Sequence, residues 1–248
     1  MDSDLANVEA FYNGRASTYD DSFHPLQAAD YMEYVDPQPG EAWLDLACGT
    51  GLVTHLGAAA VGPTGHIIGV DIAEAMLQHA REKGAAMGGS HAKFVRHDVT
   101  NLEGLEAVGV VRGRFDIITC CSALPLPKNI DRTLQHWAEY LKHGGRLVAD
   151  VPSTNALLNT GMFVRIAPRC GLEGVMPDDR GWIKSLESLG EKFKQAGLVT
   201  ERLSVSRAYG GRIYEKEKLE EWFERTAAVP IYADLDSHGW WMWREQNG

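Results

Sequence analysis

Two hydrophobic patterns alternate through residues 41–151. The runs "EAWLDLA", "HIIGVD", "AKFVRHDV", "RFDIITCCSAL" and "RLVADVP" have the length and the apolar, β-branched content of buried strands. Between them, "LVTHLGAAAV", "IAEAMLQHAREKG" and "IDRTLQHWAEYLKHGG" space their apolar residues as helices do. The second is expected to close at Gly84 and the third at its glycine pair, and a short helix is expected over 102–108. Strands joined by helices of this length predict right-handed crossovers and a mainly parallel sheet covered on both faces.

Upstream, residues 4–19 read as one helix or two short ones, and 25–35 as another, with Pro25 in its first turn and "DPQPG" as its stop. Downstream, residues 152–180 are rich in glycine and proline without a clean period, which predicts a functional insert after the fifth strand. "GWIKSLESLGEKFKQAGL" returns to helix, "VTERLSVSRAY" alternates as a strand does, and "EKEKLEEWFERTAAV" is helical again. A final strand is not recognisable before "WWMWREQNG", so the chain is either truncated or ends irregularly around "AAVPIYADL".

Composition narrows the class. The chain has 248 residues, 44% of them hydrophobic and 23% charged, and a formal net charge of -10. Without a basic surplus, nucleic acid is not an expected partner. With no leader-like N-terminus and no apolar stretch of membrane-spanning length, a cytoplasmic protein without membrane contact is expected, as monomer or homodimer. Four cysteines, none in a C-x-x-C pair, predict reduced thiols, and no metal site is expected.

Candidate chemistry gathers at strand ends, where doubly wound sheets bind ligands. In "WLDLACGTG" the carboxylate of Asp45 precedes a turn whose glycines let a ligand approach the backbone. Such turns also serve dinucleotide folds. Asp71 ends "IIGVD" at the interval suited to gripping a ribose diol, although "DIAE" also fits a helix cap with Glu74 closing a capping box. Asp98, in "VRHDVT", could accept from the exocyclic amine of a base, with Val99 adding backbone and apolar contact, or could be a loop or cap aspartate.

Together, "WLDLACGTGLVT", "GPTGHIIGVDIAEAML", "FVRHDVTNLE", "FDIITCCSAL" and "LKHGGRLVADV" resemble class I S-adenosylmethionine-dependent methyltransferases. The nearest resemblance is to the ubiquinone and menaquinone biosynthesis enzymes and natural-product methyltransferases. It covers about residues 10–151 and implies a Rossmann-like α/β fold with an N-terminal helical lid. The domain organisation it suggests is one domain over 1–248: lid 1–36, cofactor core 41–151, acceptor-side insert 152–180, and a C-terminal part 181–248 completing sheet and pocket. The implied cofactor is S-adenosyl-L-methionine. Asp45, Ala47, Gly49 and Gly51 would face its methionine part, with Asp71 on the ribose and Ile72 and Met76 beside the adenine. Asp98 and Val99 would hold the adenine edge, Ser122 would lie near the methyl-bearing end, and Tyr19 in "RASTYDD" would close over the cofactor. Ala47 departs from the commoner glycine, and "ALPLPKN" replaces a histidine-rich segment found in many relatives.

Methyl transfer from a sulfonium needs alignment and exclusion of water more than an elaborate catalytic apparatus. A hydroxyl or thiol acceptor would benefit from a general base of near-neutral pKa. His24, near the lid tyrosine, is the candidate, against a solvent-facing residue at a helix start. Trp222, His238 and Trp240, with Trp241 and Trp243, could line an aromatic acceptor pocket or serve packing and oligomer contacts. The expected function is O-methylation of a small aromatic or secondary-metabolite acceptor. N-, S- or C-methylation, a cofactor-binding protein that transfers no methyl, and a disfavoured NAD-dependent oxidoreductase remain as alternatives.

Overall fold

The computed structural model describes residues 3–89, 91–124, 129–151 and 185–207. Expectations placed on the 152–180 insert and on Trp222, His238, Trp240 and their neighbours lie outside the described residues.

Five parallel strands form one sheet in the order β3-β2-β1-β4-β5: β1 (Ala42–Leu46), β2 (His66–Asp71), β3 (Lys93–Arg96), β4 (Phe115–Cys120) and β5 (Leu141–Ala149). β1 is central, and Trp43, Leu44 and Leu46 are fully buried there. Burial on both faces explains why this strand reads as an apolar run rather than an alternation. The crossover helices are α3 (Leu52–Val61), α4 (Glu74–Ala86) and α5 (Ile130–Ala138). The doubly wound α/β architecture is that expected, and the order reverses beside β1.

α1 (Ser3–Arg15) runs into a 3₁₀ turn, Ala16–Asp21, and then α2 (His24–Val35). Asn13 on α1 accepts the backbone N–H of Ala75 at 2.9 Å, satisfying a free amide at the start of α4. α2 lies on the sheet through Tyr31, whose hydroxyl donates to the Val148 carbonyl at 2.7 Å. Arg146 on β5 clamps the end of α2 and the start of β1. Its guanidinium binds both Glu41 carboxylate oxygens at 2.7 and 2.8 Å and donates to the carbonyls of Val35 and Asp36. The last described helix, α6 (Leu186–Gln195), starts in a Ser185/Ser188 capping box and pairs Lys192 with Asp131 of α5 at 2.7 Å.

Four local expectations are corrected. α4 passes through Gly84 and ends at Ala86, with Gly88 and Gly89 supplying the positive φ that a helix stop uses. α5 ends at Ala138, so "LKHGG" is the start of β5 and His143 is not helical. The ladder jumps from Phe115↔Leu141 to Ile117↔Arg146, and the glycine pair serves this bulge. The helix expected over 102–108 is only a 3₁₀ turn, Glu106–Val108. Residues 200–207 of the expected strand pair with no other strand among the described residues and are exposed; Arg202 lies 4.3 Å from the Tyr34 ring instead.

Candidate functional site

An open cleft lies beyond the carboxyl ends of β1 and β4, where the strand order reverses. Tyr19, His24, Asp45, Ala47, Gly49 and Ser122 line it together with Gln27, Cys48, Thr50 and Cys121.

Three residues of the turn after β1 have positive φ: Ala47 at 53°, Gly49 at 54° and Gly51 at 76°. Gly49 has open space where a Cβ would stand, so its backbone is bare toward the cleft. Gly51 differs. A Cβ there would stand 3.0 Å from Ala80 and the Phe94 ring, so this glycine packs the start of α3 against α4 and β3 rather than facing a ligand. Cys48 tucks its sulfur against Gly69 of β2, where a Cβ would come within 2.8 Å of it.

Asp45 is 1% exposed, beneath the turn. Thr119 and Thr54 donate their hydroxyls to its two oxygens at 2.7 and 2.5 Å, and the Trp43 indole N–H donates to Thr119 at 2.8 Å. Burial pushes the Asp45 carboxyl up to about 6, opposed by these hydroxyl bonds. The two threonines carry no motif that would have announced them.

Asp71 stands directly behind the turn. One oxygen accepts the Gly49 N–H at 2.8 Å and the other the Ala73 N–H at 2.8 Å, while burial raises its pKa against both bonds. The alternative capping box does not form: Ala73 is the cap residue of α4, with no side-chain cap bond, and Glu74 pairs with Arg81.

At the next strand end, Asp98 accepts the N–H and the hydroxyl of Thr100, both at 2.8 Å. The Val99 carbonyl accepts the Trp137 indole N–H at 2.8 Å, which fixes this loop to α5. Ile72 is half-buried and its carbonyl accepts from Arg96. Met76, expected beside a ligand, is 1% exposed and packs on Ala16 and Ala73 with Tyr12 and Tyr19 against them. It supports the lid from below.

The N-terminal segment expected to form a lid borders the cleft and is held by aromatic and ionic contacts. The Tyr19 and His24 rings stack at 4.0 Å, and the Arg15 guanidinium lies 5.5 Å from the Tyr19 ring. Burial raises the Tyr19 phenol and, with a smaller contribution from Arg15, lowers His24 to about 4. His24 is therefore neutral at pH 7, and it is a weaker base than the one of near-neutral pKa expected. Its Nδ1 makes a short hydrogen bond to the Ser22 hydroxyl. Asp20 accepts the Thr50 hydroxyl at 2.6 Å and pairs with Lys83 at 2.5 Å, and Lys83 also donates to the Thr50 carbonyl at 3.0 Å. This latch joins lid, glycine turn and α4.

Residues 37–224, more than half of the chain, match the family model described as "Methyltransferase domain". The demethylmenaquinone methyltransferase of Symbiobacterium thermophilum is 38% identical over 111 residues, 45% of this chain and 42% of that protein; the chain thus spans less than half of that relative's length. The aklanonic acid methyltransferase DauC of Streptomyces sp. (strain C5) is 25% identical over 217 residues, 81% of this chain and 95% of that protein. Among solved structures, a SAM-dependent methyltransferase from Aquifex aeolicus shares the fold at TM-score 0.53 and 15% identity, covering 71% of this chain and 81% of its own. With its turn, strand order and lid, the chain belongs to the Rossmann-like S-adenosylmethionine-dependent methyltransferase family.

Proposed function

We propose that the chain transfers a methyl group from S-adenosylmethionine to an oxygen of a small aromatic or secondary-metabolite acceptor. The observation that carries this reading is a charge imbalance. Asp45 and Asp71 stand in or behind the cleft walls, and among the described residues neither is paired with a lysine or arginine. Carboxylates buried without a counter-ion are costly unless a cation arrives. A ligand carrying sulfonium and ammonium groups answers that imbalance, and the bare backbone at Gly49 leaves room for it.

Bound there, S-adenosylmethionine supplies a methyl group on an excellent leaving group. Asp71 would hold the ribose with its remaining acceptor capacity, and Asp98 and Val99 the adenine edge. Asp45 would act on the methionine end across the turn. With the ligand bound, Tyr19 and the Asp20 latch would help to exclude water, which favours a reaction that depends on alignment. His24, already neutral, would accept a hydrogen bond from the acceptor hydroxyl and take up its proton as the new bond to oxygen forms.

The aklanonic acid relative, matched over most of both chains, supports a small organic acceptor. The test is incubation with S-adenosylmethionine and panels of phenols, thiols, amines and polyketide-like acids, reading S-adenosylhomocysteine release and the methylated atom. An O-methyl product is expected. A ring-carbon product would replace oxygen as the acceptor atom, and cofactor binding without turnover across all panels would indicate a protein that transfers no methyl.

A further inference from the structure

Asp150 follows the last residue of β5 and turns its carboxyl group inward. The Ser122 backbone N–H donates to one oxygen at 2.7 Å, and the Gln27 side-chain amide donates to the other at 3.0 Å. The circuit closes because the Ser122 hydroxyl donates to the Gln27 carbonyl oxygen at 2.9 Å. Three elements thus meet in one ring: α2 through Gln27, the end of β4 through Ser122, and the end of β5 through Asp150.

Two features of the ring are unfavourable to the fold alone. Ser122 sits at φ 61°, a left-handed conformation that is strained for a residue with a Cβ. Burial raises the Asp150 pKa, against the Ser122 and Gln27 bonds, and among the described residues no lysine or arginine pairs with it. Strain and an unpaired carboxylate at one place are characteristic of a site whose geometry serves a ligand. Gln27 and Ser122 both line the cleft, and Asp150 stands behind them.

We infer that Asp150 is a positioning residue for the methyl-transfer site, setting Gln27 and Ser122 as the cleft wall that faces the glycine turn. It does so through the placement of its two acceptor oxygens rather than through its charge. This inference rests on the cofactor reading above.

Acceptor placement and charge can be separated because Gln27 can turn its amide over. In Asp150→Asn, the Asn oxygen still accepts from Ser122. The inverted Gln27 then accepts from the Asn amide and donates to the Ser122 hydroxyl. In Gln27→Glu, two carboxylates face one another at about 3 Å, and one must protonate or move away. In the double variant Asp150→Asn with Gln27→Glu, the Asn amide again donates to a carboxylate and the ring re-forms with its charge on the other side.

The experiment is calorimetric titration of S-adenosylhomocysteine into the wild-type chain and these three variants, with Tm measured in parallel. Gln27→Glu is expected to lose about tenfold in affinity, while Asp150→Asn and the double variant stay within about threefold of wild type. Gln27→Met, neutral and of similar length, provides the same reading if Gln27→Glu does not fold, with an expected loss of about tenfold. Wild-type affinity in both Gln27 variants, or a double variant that binds no better than Gln27→Glu, overturns the role. So does a lowered Tm with unchanged affinity. A wild-type chain that does not bind S-adenosylhomocysteine at all overturns the cofactor reading itself, and the ring's role with it.

Discussion

The Gly49 amide donates to the Asp71 carboxylate at 2.8 Å, so the acidic end of the second strand holds the glycine turn that follows the first. One carboxylate therefore shapes the turn, and in the proposed role it would also accept hydrogen bonds from a ribose.

That double duty sets the outcome of Asp71→Ala. Two backbone amides lose a charged acceptor, which costs about 1–3 kcal/mol of stability. S-adenosylhomocysteine affinity is expected to fall by more than about tenfold, beyond what stability alone explains. Calorimetry beside urea denaturation separates the two. Unchanged affinity would remove Asp71 from the site.

Asp45 should show a trade between stability and binding. Its carboxyl lies at about 6 in the fold against an ordinary 3.8, so the native state holds the proton more tightly than the unfolded chain. The stability this gives is complete below pH 3.8 and is lost as pH rises through about 6. Asp45→Asn keeps an acceptor and a donor for the two threonine hydroxyls without a charge. It is expected to flatten that pH dependence and to gain up to about 3 kcal/mol at pH 7, while binding S-adenosylmethionine more weakly. Denaturation curves between pH 4 and 8 provide the check.

Ala47 occupies a left-handed position, φ 53°, where a side chain is strained. Relief of about 1–2 kcal/mol, set against the entropic cost of glycine, predicts that Ala47→Gly gains up to about 1 kcal/mol. Chemical denaturation measures it, and a loss of stability would mean that the alanine methyl contributes packing.

His24→Ala is expected to slow turnover with little change in S-adenosylhomocysteine affinity. Because burial holds His24 near 4, its neutral form is complete at pH 6–8, and its contribution to the rate is lost only as pH falls through about 4. A pH–rate profile on both proteins tests this, and identical rates would exclude it as a base.

The pattern that made the sheet legible was local. β1 and β2 coincide with their apolar runs because burial on both faces leaves an unbroken signal, and α3 coincides with its helically spaced apolar run. "LKHGG" misleads because a glycine pair marks a helix stop and a strand bulge alike, and β5 uses it for the second. The alternation after residue 199 describes a strand's two faces, but pairing requires a neighbouring edge that no local pattern reports. At the site, the glycine turn and strand-end carboxylates were readable from spacing. Thr54 and Thr119 on Asp45, Lys83 on Asp20, and Gln27 on Asp150 were not, because each pair is assembled by the fold from separate elements.

The most direct test of the central claim is a crystal structure of the chain with S-adenosylhomocysteine. The account predicts ligand density in the cleft between Tyr19, Gly49 and Ser122, with the ribose on Asp71 and the sulfur toward the wall set by Gln27 and Asp150. Density elsewhere, or a ribose away from Asp71, would contradict it.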